Sequence, residues 1–433
     1  MLTNEKIDEL LGVGESFEAS YKLMDILKDD TARNSTFQKF LQIENDLTFD
    51  WFTDYFQEEH SNRKNMKQDF TPDGVVQLAN AVLPNAKVNA DICAGTGGLT
   101  IKRYSQNPNA TFYCEEFSDR AIPFLLFNLA IRNVDAYVFH GDSLSRDAKA
   151  VYKLKKGKQF SLIEKTDETE RFDKIDADTV IMNPPYSLKW EHRPEYLDQL
   201  RFKDYDVLAP KSKADFAFLL HGLNDLNETG TMSIVLPHGV LFRGAAEGKI
   251  RRKLIYNNYL DAVIGLPEKL FFNTDIPTVI LVLKKNRSSS DVLFIDASKQ
   301  FEKQKNHNEM KPEHIAKVLE LISNRQSVDK LAHVACLEEI KENDYNLNIP
   351  RFVDTFEPEP VVPLADIMKG IKQVDEEIER NEREFAKMMT NLHGTTPESD
   401  KEIKEFSEFF SRRIDKLYGT TTKSKEMEQL DLL

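Results

Sequence analysis

From about residue 66, short runs rich in valine and isoleucine alternate with segments of helical periodicity, and no other feature constrains the fold as much. Strands that alternate with helices are typical of a mostly parallel sheet covered by helices on both faces. We therefore predict a doubly wound α/β fold with a mostly parallel, seven-stranded sheet. The seven candidate strands lie at 88–93, 111–116, 136–142, 179–185, 232–237, 260–267 and 278–285.

Helical segments flank this pattern on both sides. Apolar residues at helical spacing predict a short helical N-terminal region over 1–65, and the α/β pattern with its following blocks extends over 66–355. The stretch 356–433 begins with a proline-rich connector and continues as two predicted helices. The charged segment 143–171 has no strong period, and we interpret it as a surface insertion.

The C-terminal helices carry an apolar stripe. Ile367, Ile371, Val374 and Ile378 recur every three to four residues among charged side chains, which is typical of a coiled-coil-like helix. A stripe of this kind must be buried against something. Packing on the chain's own domain is one interpretation, and docking of a partner is the other.

Composition excludes several classes of protein. No apolar run approaches the roughly 18 residues of a membrane span, and the polar N-terminus does not resemble a secretory signal. Cys93, Cys114 and Cys336 fit neither a disulfide framework nor a zinc site. We therefore expect a cytoplasmic protein with no membrane association and no metal. The formal net charge of −14 implies that any work on DNA needs a local basic patch or a partner.

A glycine turn follows the first candidate strand. After Asp91 the chain reads through Gly95, Thr96, Gly97 and Gly98 into a helix. Glycines permit positive φ and close approach of the backbone to a ligand, and such turns at strand ends are where open α/β sheets bind ligands. Asp91 can accept a hydrogen bond from a ligand ammonium group.

Carboxylates also end the next two strands. Glu115 and Glu116 close the second strand, where an acid commonly accepts from ribose hydroxyls, and Asp142 follows the third, where it can accept from an adenine amine. A solvated loop carboxylate is the ordinary alternative for each acid alone. Three acids at successive strand ends, together with the glycine turn, favour a cofactor that contains a nucleoside.

The tetrapeptide Asn183-Pro184-Pro185-Tyr186 ends the fourth strand. An exocyclic adenine amine is a poor nucleophile, so an enzyme must hold it with acceptors only. The Asn183 side-chain oxygen and the Pro184 carbonyl can each accept one N–H, and the Tyr186 ring can stack on an extruded base. A plain turn is the alternative, because all four residues favour turns.

Two further segments carry candidate residues. Phe70, Thr71 and Pro72 precede the first strand, where Thr71 can meet a cofactor carboxylate and Phe70 can pack beside the nucleoside; Thr71 is also a candidate helix N-cap. Lys211–Phe216 opens a helix and can face the substrate. A basic cluster can contact phosphates or simply be solvated: Arg243, Lys249, Arg251 and Arg252.

With these motifs in view, the sequence resembles the modification subunits of type I restriction-modification systems, which are N6-adenine DNA methyltransferases. The likeness covers about 66–353 and is carried by long blocks: QDFTPDGVV, DICAGTGGLT, MNPPYS, SKADFAF, LPHGVLFRGAAEGKIRRKL, YLDAVIGLPEKLFFNTDIPTVILVLKKN, VLFIDASK and ENDYNLNIPRFVD. Two departures stand out: Ile92 replaces the family's usual proline after Asp91, and the N-terminal region is shorter than usual.

The resemblance implies S-adenosylmethionine as cofactor and N6 of a flipped-out adenine in double-stranded DNA as target. It implies that Glu116 holds the ribose and Asp142 the adenine of the cofactor. The methionine end would contact Thr71, Pro72, Asp91, Gly95 and Gly97, with Thr96 and Gly98 completing the turn. Asn183, Pro184 and Tyr186 would handle the target base, with Pro185 completing the tetrapeptide.

The resemblance also implies partners. Two modification subunits share one specificity subunit, which reads the DNA sequence, and a restriction nuclease subunit joins them. The C-terminal helices would then dock on the specificity subunit. Three alternatives stay open: methyl transfer to N4 of cytosine, methyl transfer to a protein glutamine amide, and a non-catalytic assembly role.

Overall fold

An eleven-stranded mixed sheet forms the centre of the computed structural model. The structure describes residues 2–59, 70–271, 275–305, 307–355 and 362–419. The chain divides into two compact units, Met1–Phe356 and Glu357–Leu433, which are taken one at a time below.

The first unit contains eleven described helices and thirteen described strands. The helices are α1 (Asn4–Leu11), α2 (Ala19–Lys28), α3 (Asp30–Leu41), α4 (Thr53–Glu59), α5 (Asp73–Ala81), α6 (Gly98–Gln106), α7 (Ile122–Ile131), α8 (Asp215–Asp225), α9 (Ala245–Tyr256), α10 (Pro312–Asn324) and α11 (Leu337–Glu342). The strands are β1 (Val88–Ile92), β2 (Thr111–Glu116), β3 (Asp135–Gly141), β4 (Ala148–Lys155), β5 (Leu162–Thr166), β6 (Ala177–Met182), β7 (Leu226–Pro237), β8 (Leu260–Gly265), β9 (Thr278–Lys284), β10 (Val292–Asp296), β11 (Glu302–Lys303), β12 (Asn308–Glu309) and β13 (Ala332–Ala335).

The seven predicted strands form the contiguous centre of the main sheet. The full order is β13-β10-β8-β9-β7-β6-β1-β2-β3-β4-β5. The strands from β7 through β6, β1 and β2 to β3 pair in parallel, whereas β9 runs antiparallel to β7 and β8. The prediction of an α/β fold with a mostly parallel sheet is confirmed, and two additional strands extend the sheet at each edge.

The interpretation of 143–171 as a surface insertion is wrong, because this segment adds two strands to the sheet. β4 pairs antiparallel with β3, and β5 pairs antiparallel with β4. Only Val151 and Leu154 of β4 are buried, and lysines occupy three of its other six positions. β5 is the edge strand and β4 lies next to it. Strands at this margin of the sheet need few apolar residues, because they are partly solvated and charges there deter aggregation.

Helices cover both faces of the sheet, and alternation along β6 shows this directly. Val180 and Met182 belong to a core shared with α8 and α9, whereas Ile181 belongs to a core shared with α5 and α10. Successive residues of a strand point to opposite faces, so one apolar run supplies both cores. β1 lies near the middle of the sheet, so its carboxyl end is flanked by those of β6 and β2.

The N-terminal helices pack directly on the α/β core. All ten residues of α7 are buried, because the sheet covers one side of this helix and the N-terminal helices cover another. The Phe127 ring meets Phe37 and Phe40 edge to face, with centroids 4.7 and 4.8 Å apart. Aromatic pairs in this geometry add stability beyond the area they bury. α1–α4 thus share one core with the central sheet.

The second unit is a pair of helices, α12 (Leu364–Thr390) and α13 (Pro397–Tyr418). The rings of Phe385 and Phe410 meet edge to face at 5.2 Å. α12 has no buried residue, and the predicted stripe is exposed, with Ile371 and Val374 more than half exposed. None of the described helices in either unit combines the length and the apolarity needed to cross a membrane.

Candidate functional site

The glycine turn between β1 and α6 is closed by backbone hydrogen bonds. The Ala94 amide donates to the Glu115 carbonyl at 2.9 Å, and the Gly97 amide donates to the Ala94 carbonyl at 2.8 Å. Gly97 has a φ of 101°, and a Cβ there would approach the Leu125 side chain to 2.9 Å. The turn therefore needs glycine for both conformation and space.

Glu116 lies beneath this turn and is buried. The Gly95 amide donates to Glu116 Oε2 at 2.8 Å, and the Ser118 amide donates to Oε1 at 2.7 Å. Burial raises the pKa of the Glu116 carboxyl, while these amide hydrogen bonds act in the opposite direction. Each oxygen keeps one lone pair that can accept from a ligand hydroxyl.

Glu115, the neighbouring acid, points to the opposite face of the sheet. Its carboxylate accepts from Arg146 Nη1 at 2.9 Å and lies 3.1 Å from His221 Nε2. Burial by itself would raise the pKa of Glu115, but the charges of Arg146 and His221 lower it to about 2. Glu115 is therefore a buried anchor for Arg146.

The loop that follows β3 presents Asp142. Asp142 Oδ1 accepts from the Leu144 amide at 2.8 Å and from the Ser145 amide at 3.3 Å. Two arginines fix the position of this loop. Arg201 donates to the Ser143 carbonyl at 2.9 Å, and Arg146, which belongs to the loop, donates to the Glu115 carboxylate. In the described part of the chain, Asp142 Oδ2 has no hydrogen-bond partner and can accept from a ligand.

Asp91 sits behind the turn, in the interior. The Thr100 hydroxyl donates to its Oδ2 at 2.5 Å, while Oδ1 has no hydrogen-bond partner among the described residues. Burial raises the pKa of Asp91 to about 7, although the hydrogen bond from Thr100 opposes the increase. A buried carboxylate oxygen without a partner is costly, and an ammonium group nearby would relieve that cost.

Asn183 is held at both ends of its amide. Its Nδ2 donates to the Thr71 hydroxyl oxygen at 2.9 Å, and its Oδ1 accepts from the Tyr186 hydroxyl at 2.7 Å. The Tyr186 ring packs edge-on against Phe271, with centroids 5.7 Å apart. Asn183 Oδ1 keeps a second lone pair, which can accept a further hydrogen bond.

The segment after Tyr186 is anchored by a buried ion network. The Ser187 amide donates to Asp215 Oδ1 at 2.7 Å, and Arg243 donates to Asp215 Oδ2 at 2.8 Å and to Glu247 at 3.0 Å. Arg251 is also buried and donates to the Tyr345 carbonyl at 2.8 Å. Arg243 and Arg251 thus form their hydrogen bonds within the protein. The predicted basic cluster, which also contains Lys249 and Arg252, is therefore not a phosphate-binding patch as a whole.

One cavity of about 340 Å³ collects most of the predicted residues. From the prediction its lining includes Phe70, Thr71, Gly95, Gly98, Glu116, Asp142, Asn183, Pro184, Pro185 and Tyr186. Glycine-turn, acidic and tetrapeptide residues from separate strand ends therefore face a common space.

Four predicted residues lie outside this lining. Asp91 is behind the turn, and Gly97 caps α6. Pro72 lines a neighbouring cavity and is the residue before α5, so the helix cap is Pro72 and not Thr71. The Thr96 hydroxyl donates to Asp50, which belongs to the N-terminal region.

Sequence reasoning missed several residues of the lining. They are Thr53, Val76, Cys93, Ala94, Leu99, Phe117, Ser143, Leu188, Lys189 and Phe218. Phe117 had a signal, because it is an aromatic residue directly after Glu116 and it is 47% exposed. Thr53 had none, because it reaches the cavity only through the packing of the N-terminal helices.

The sequence of this chain is similar to those of known proteins over the elements that form the cavity. The sequence pattern of the family described as N-6 DNA Methylase matches residues 47–360. The type I restriction enzyme MpnII methylase subunit of Mycoplasma pneumoniae is 40% identical over 181 residues, which are 41% of this chain and 33% of that protein. The MjaVIII methylase subunit of Methanocaldococcus jannaschii is 29% identical over 345 residues, or 76% of this chain and 56% of that protein.

A solved structure is similar as well. The crystal structure of the type I restriction-modification system methyltransferase subunit from Streptococcus thermophilus has 43% sequence identity and a TM-score of 0.58, covering 66% of this chain and 59% of that chain. The chain spans from a third to just over half the length of the first curated relatives it matches. Because the family pattern extends from the loop before α4 to beyond the last strand of the sheet, this chain belongs to the N-6 DNA methylase family.

Proposed function

We propose that this chain transfers a methyl group from S-adenosylmethionine to the N6 amine of adenine in DNA, as the modification subunit of a type I restriction-modification system. One observation carries the proposal: a single cavity is lined by Glu116 and Asp142 on one side and by Asn183 and Tyr186 on another. Acceptors for a nucleoside cofactor and acceptors for a planar amine therefore share one space.

The residues present suit this cofactor. S-adenosylmethionine, when bound, supplies an electrophilic methyl group on a positively charged sulfur. Its ribose and adenine offer hydrogen-bond donors, and the cavity wall offers the acceptors Glu116 and Asp142. Asp91 lies behind the turn and outside the cavity lining, so its contact with the methionine ammonium group stays a prediction. Phe70 provides an apolar wall beside Gly95.

Asn183 would act on the target amine. The lone pair of the N6 amine is delocalised into the ring, and acceptors that hold both N–H groups favour the geometry from which it attacks. Asn183 Oδ1 and the Pro184 carbonyl are these acceptors, and they act by positioning and electrostatics. Thr71 keeps the Asn183 amide in the required orientation through its hydrogen bond to Nδ2.

Tyr186 would receive the extruded base. Adenine within a duplex has its amine engaged in pairing, so the nucleotide must leave the helix before it can react. The Tyr186 ring lines the cavity and is braced by Phe271, which gives the base a fixed surface on which to stack.

We also propose that the chain works in a complex in the cytoplasm. Similar proteins are named methylase subunits of type I restriction enzymes. We expect a specificity subunit that binds two copies of this chain and reads the DNA sequence, and a restriction nuclease subunit that joins them. The exposed stripe of α12 is the proposed docking surface, which makes Glu357–Leu433 a partner-binding unit.

The experiment uses tritiated S-adenosylmethionine and host DNA, with and without a type I specificity subunit from the same host. Digested nucleosides are separated, and Asn183→Ala is compared with the unsubstituted chain. We expect label in N6-methyladenine that requires the partner and falls at least about a hundredfold in Asn183→Ala, while calorimetric affinity for the cofactor is retained.

Other outcomes would redirect the proposal. Label in N4-methylcytosine would keep the mechanism and change the base. Label in protein would point to glutamine as the substrate. Cofactor binding without transfer to any substrate, in the presence of the partner, would leave only an assembly role.

A further inference from the structure

Three lysines lie on two adjacent backbone segments next to the cavity. Lys189 lines the cavity, three residues after Tyr186. Its segment runs beside the one that carries Lys211 and Lys213, because the Trp190 amide donates to the Lys211 carbonyl at 3.0 Å and the Ala214 amide donates to the Leu188 carbonyl at 2.9 Å. We call Lys189, Lys211 and Lys213 the lysine ridge.

The ammonium groups of the ridge have no partners in the part of the chain that the structure describes. Lys189 and Lys211 are exposed and Lys213 is half-buried, and none forms an ion pair or a side-chain hydrogen bond there. Some other lysines of this acidic chain are paired, such as Lys149 with Asp119 at 2.7 Å. Glu247, the carboxylate whose pKa responds to Lys213, is already bound by Arg243. The ridge is therefore free positive charge beside the cavity.

The backbone under the ridge is held firmly. Trp190 is buried, and its indole nitrogen donates to the Pro210 carbonyl at 3.1 Å. Asp215 fixes both ends of the arrangement, because it accepts from the Ser187 amide and from Arg243 while beginning α8. A ligand that meets these lysines therefore finds their backbone already ordered, which lowers the entropy lost on binding.

We propose that the lysine ridge binds the phosphodiester backbone on either side of the extruded nucleotide. This inference rests on the proposed function and assigns residues to a part of the substrate that Asn183 and Tyr186 do not touch. A nucleotide whose base enters the cavity brings its own phosphates to the cavity mouth. Lysine is a compact cation suited to such contacts, which position the DNA without reading its sequence.

The test replaces all three lysines by glutamine, in the complex with the specificity subunit. Affinity for a fluorescent duplex that carries the sequence methylated in the preceding experiment is measured over a range of salt. The slope of log K against log salt is negative, and each lost phosphate contact reduces its magnitude by about 0.9. For the triple variant we expect the magnitude of the slope to decrease by about two to three. We also expect a raised KM for DNA and an unchanged calorimetric affinity for S-adenosylmethionine.

A charge-matched control replaces Lys22, Lys39 and Lys317, which are exposed and lie on α2, α3 and α10. We expect the control to keep the slope of the unsubstituted complex. Equal slopes in both triple variants would overturn the ridge proposal, and methylation by the unsubstituted complex would at the same time uphold the proposed function. Weaker cofactor binding with an unchanged DNA slope would also overturn it, because the lysines would then serve the cofactor. No DNA methylation by the unsubstituted complex would remove both proposals.

Discussion

At the scale of single residues, Asp91 differs most from what its position in the sequence suggests. It was expected to contact a ligand, yet it lies behind the turn with Thr100 on one oxygen and nothing described on the other. Burial raises its pKa from an ordinary 3.8 to about 7. The folded chain therefore holds a proton that the unfolded chain releases over most of the acidic range.

Because of this proton, we expect the free energy of unfolding to depend on pH. Below about pH 4 the group is protonated in both states and contributes nothing. As the pH rises from about 4 to 7, only the unfolded chain releases the proton, so the contribution of Asp91 to the free energy of unfolding falls. One pKa unit corresponds to about 1.4 kcal/mol, which makes the full effect of the order of 4 kcal/mol above pH 7.

We therefore expect Asp91→Asn to stabilise the chain without cofactor at pH 8, by about 2 to 4 kcal/mol, and by much less at pH 5. Urea unfolding at the two pH values measures this, with the exposed Asp329 replaced by Asn as control. The same change in stability at both pH values would contradict a raised pKa for Asp91.

Pattern reasoning located the acids at strand ends but not their directions. Glu115 and Glu116 must point to opposite faces because they are successive residues of a strand. The face of the sheet that carries the cavity is set by the packing of α7 and α8, and this packing could not be predicted from the sequence pattern. Glu116 became a cavity residue and Glu115 an ion-pair partner of Arg146 for that reason.

At the scale of elements, the loop before α4 is joined to the glycine turn through Asp50. One carboxylate oxygen accepts from the hydroxyls of Thr53 and Thr96, and the other accepts from the Phe52 amide and from Asn128 at 2.7 Å. Asp50 therefore connects the N-terminal helices, the turn and α7. The sequence offered no sign of this, because nothing local distinguishes Asp50 from other loop acids.

We expect Asp50→Ala to lower the free energy of unfolding by about 2 to 4 kcal/mol, because several donors to a charged group lose their acceptor together. Affinity for S-adenosylmethionine should fall as well, since the turn loses its support. Thermal unfolding and calorimetry measure the two effects. Asp46→Ala is the control, because among the described residues the exposed Asp46 carboxylate accepts hydrogen bonds from Thr48 alone. Equal effects of the two substitutions would show that the hydrogen bonds of Asp50 do not stabilise the contact between the N-terminal helices and the glycine turn.

Periodicity found the strands that are buried on both faces and missed those at the edges. β8 and β9 read as continuous apolar runs because each is covered on both sides. β4 has only two buried residues, Val151 and Leu154, which are three positions apart, and its three lysines concealed the strand. β10 and β13 are short and lie beyond the antiparallel turnaround at β9, where the alternation of strand and helix no longer guides prediction.

At the scale of the whole molecule, the described part of Glu357–Leu433 leaves an apolar stripe exposed. Ile367, Ile371, Val374 and Ile378 are each more than two-fifths exposed. The two helices contact each other through Phe385 and Phe410 instead. The stripe is thus available for the partner proposed above.

We expect the double substitution Ile371→Asp and Val374→Asp to prevent assembly with the specificity subunit, with little effect on thermal stability or cofactor affinity. Two charges in an apolar interface cannot be solvated once the partner is in place. Size-exclusion chromatography with light scattering measures assembly. Lys369→Asp together with Lys372→Asp, on the same helix, is the control. Normal assembly of the apolar-stripe variant would exclude this surface as the docking site.

The hydroxyl of Tyr186 has a consequence for which bases the site admits. It donates to one of the two lone pairs of the Asn183 oxygen before any substrate arrives. Under the proposed function, we expect this oxygen to accept from a group that brings its own hydrogen, as the amines of adenine and cytosine do, whereas guanine and thymine present an oxygen at the corresponding position. We therefore expect hydrogen-bond polarity to disfavour two of the four bases at docking, before the chemistry of transfer begins.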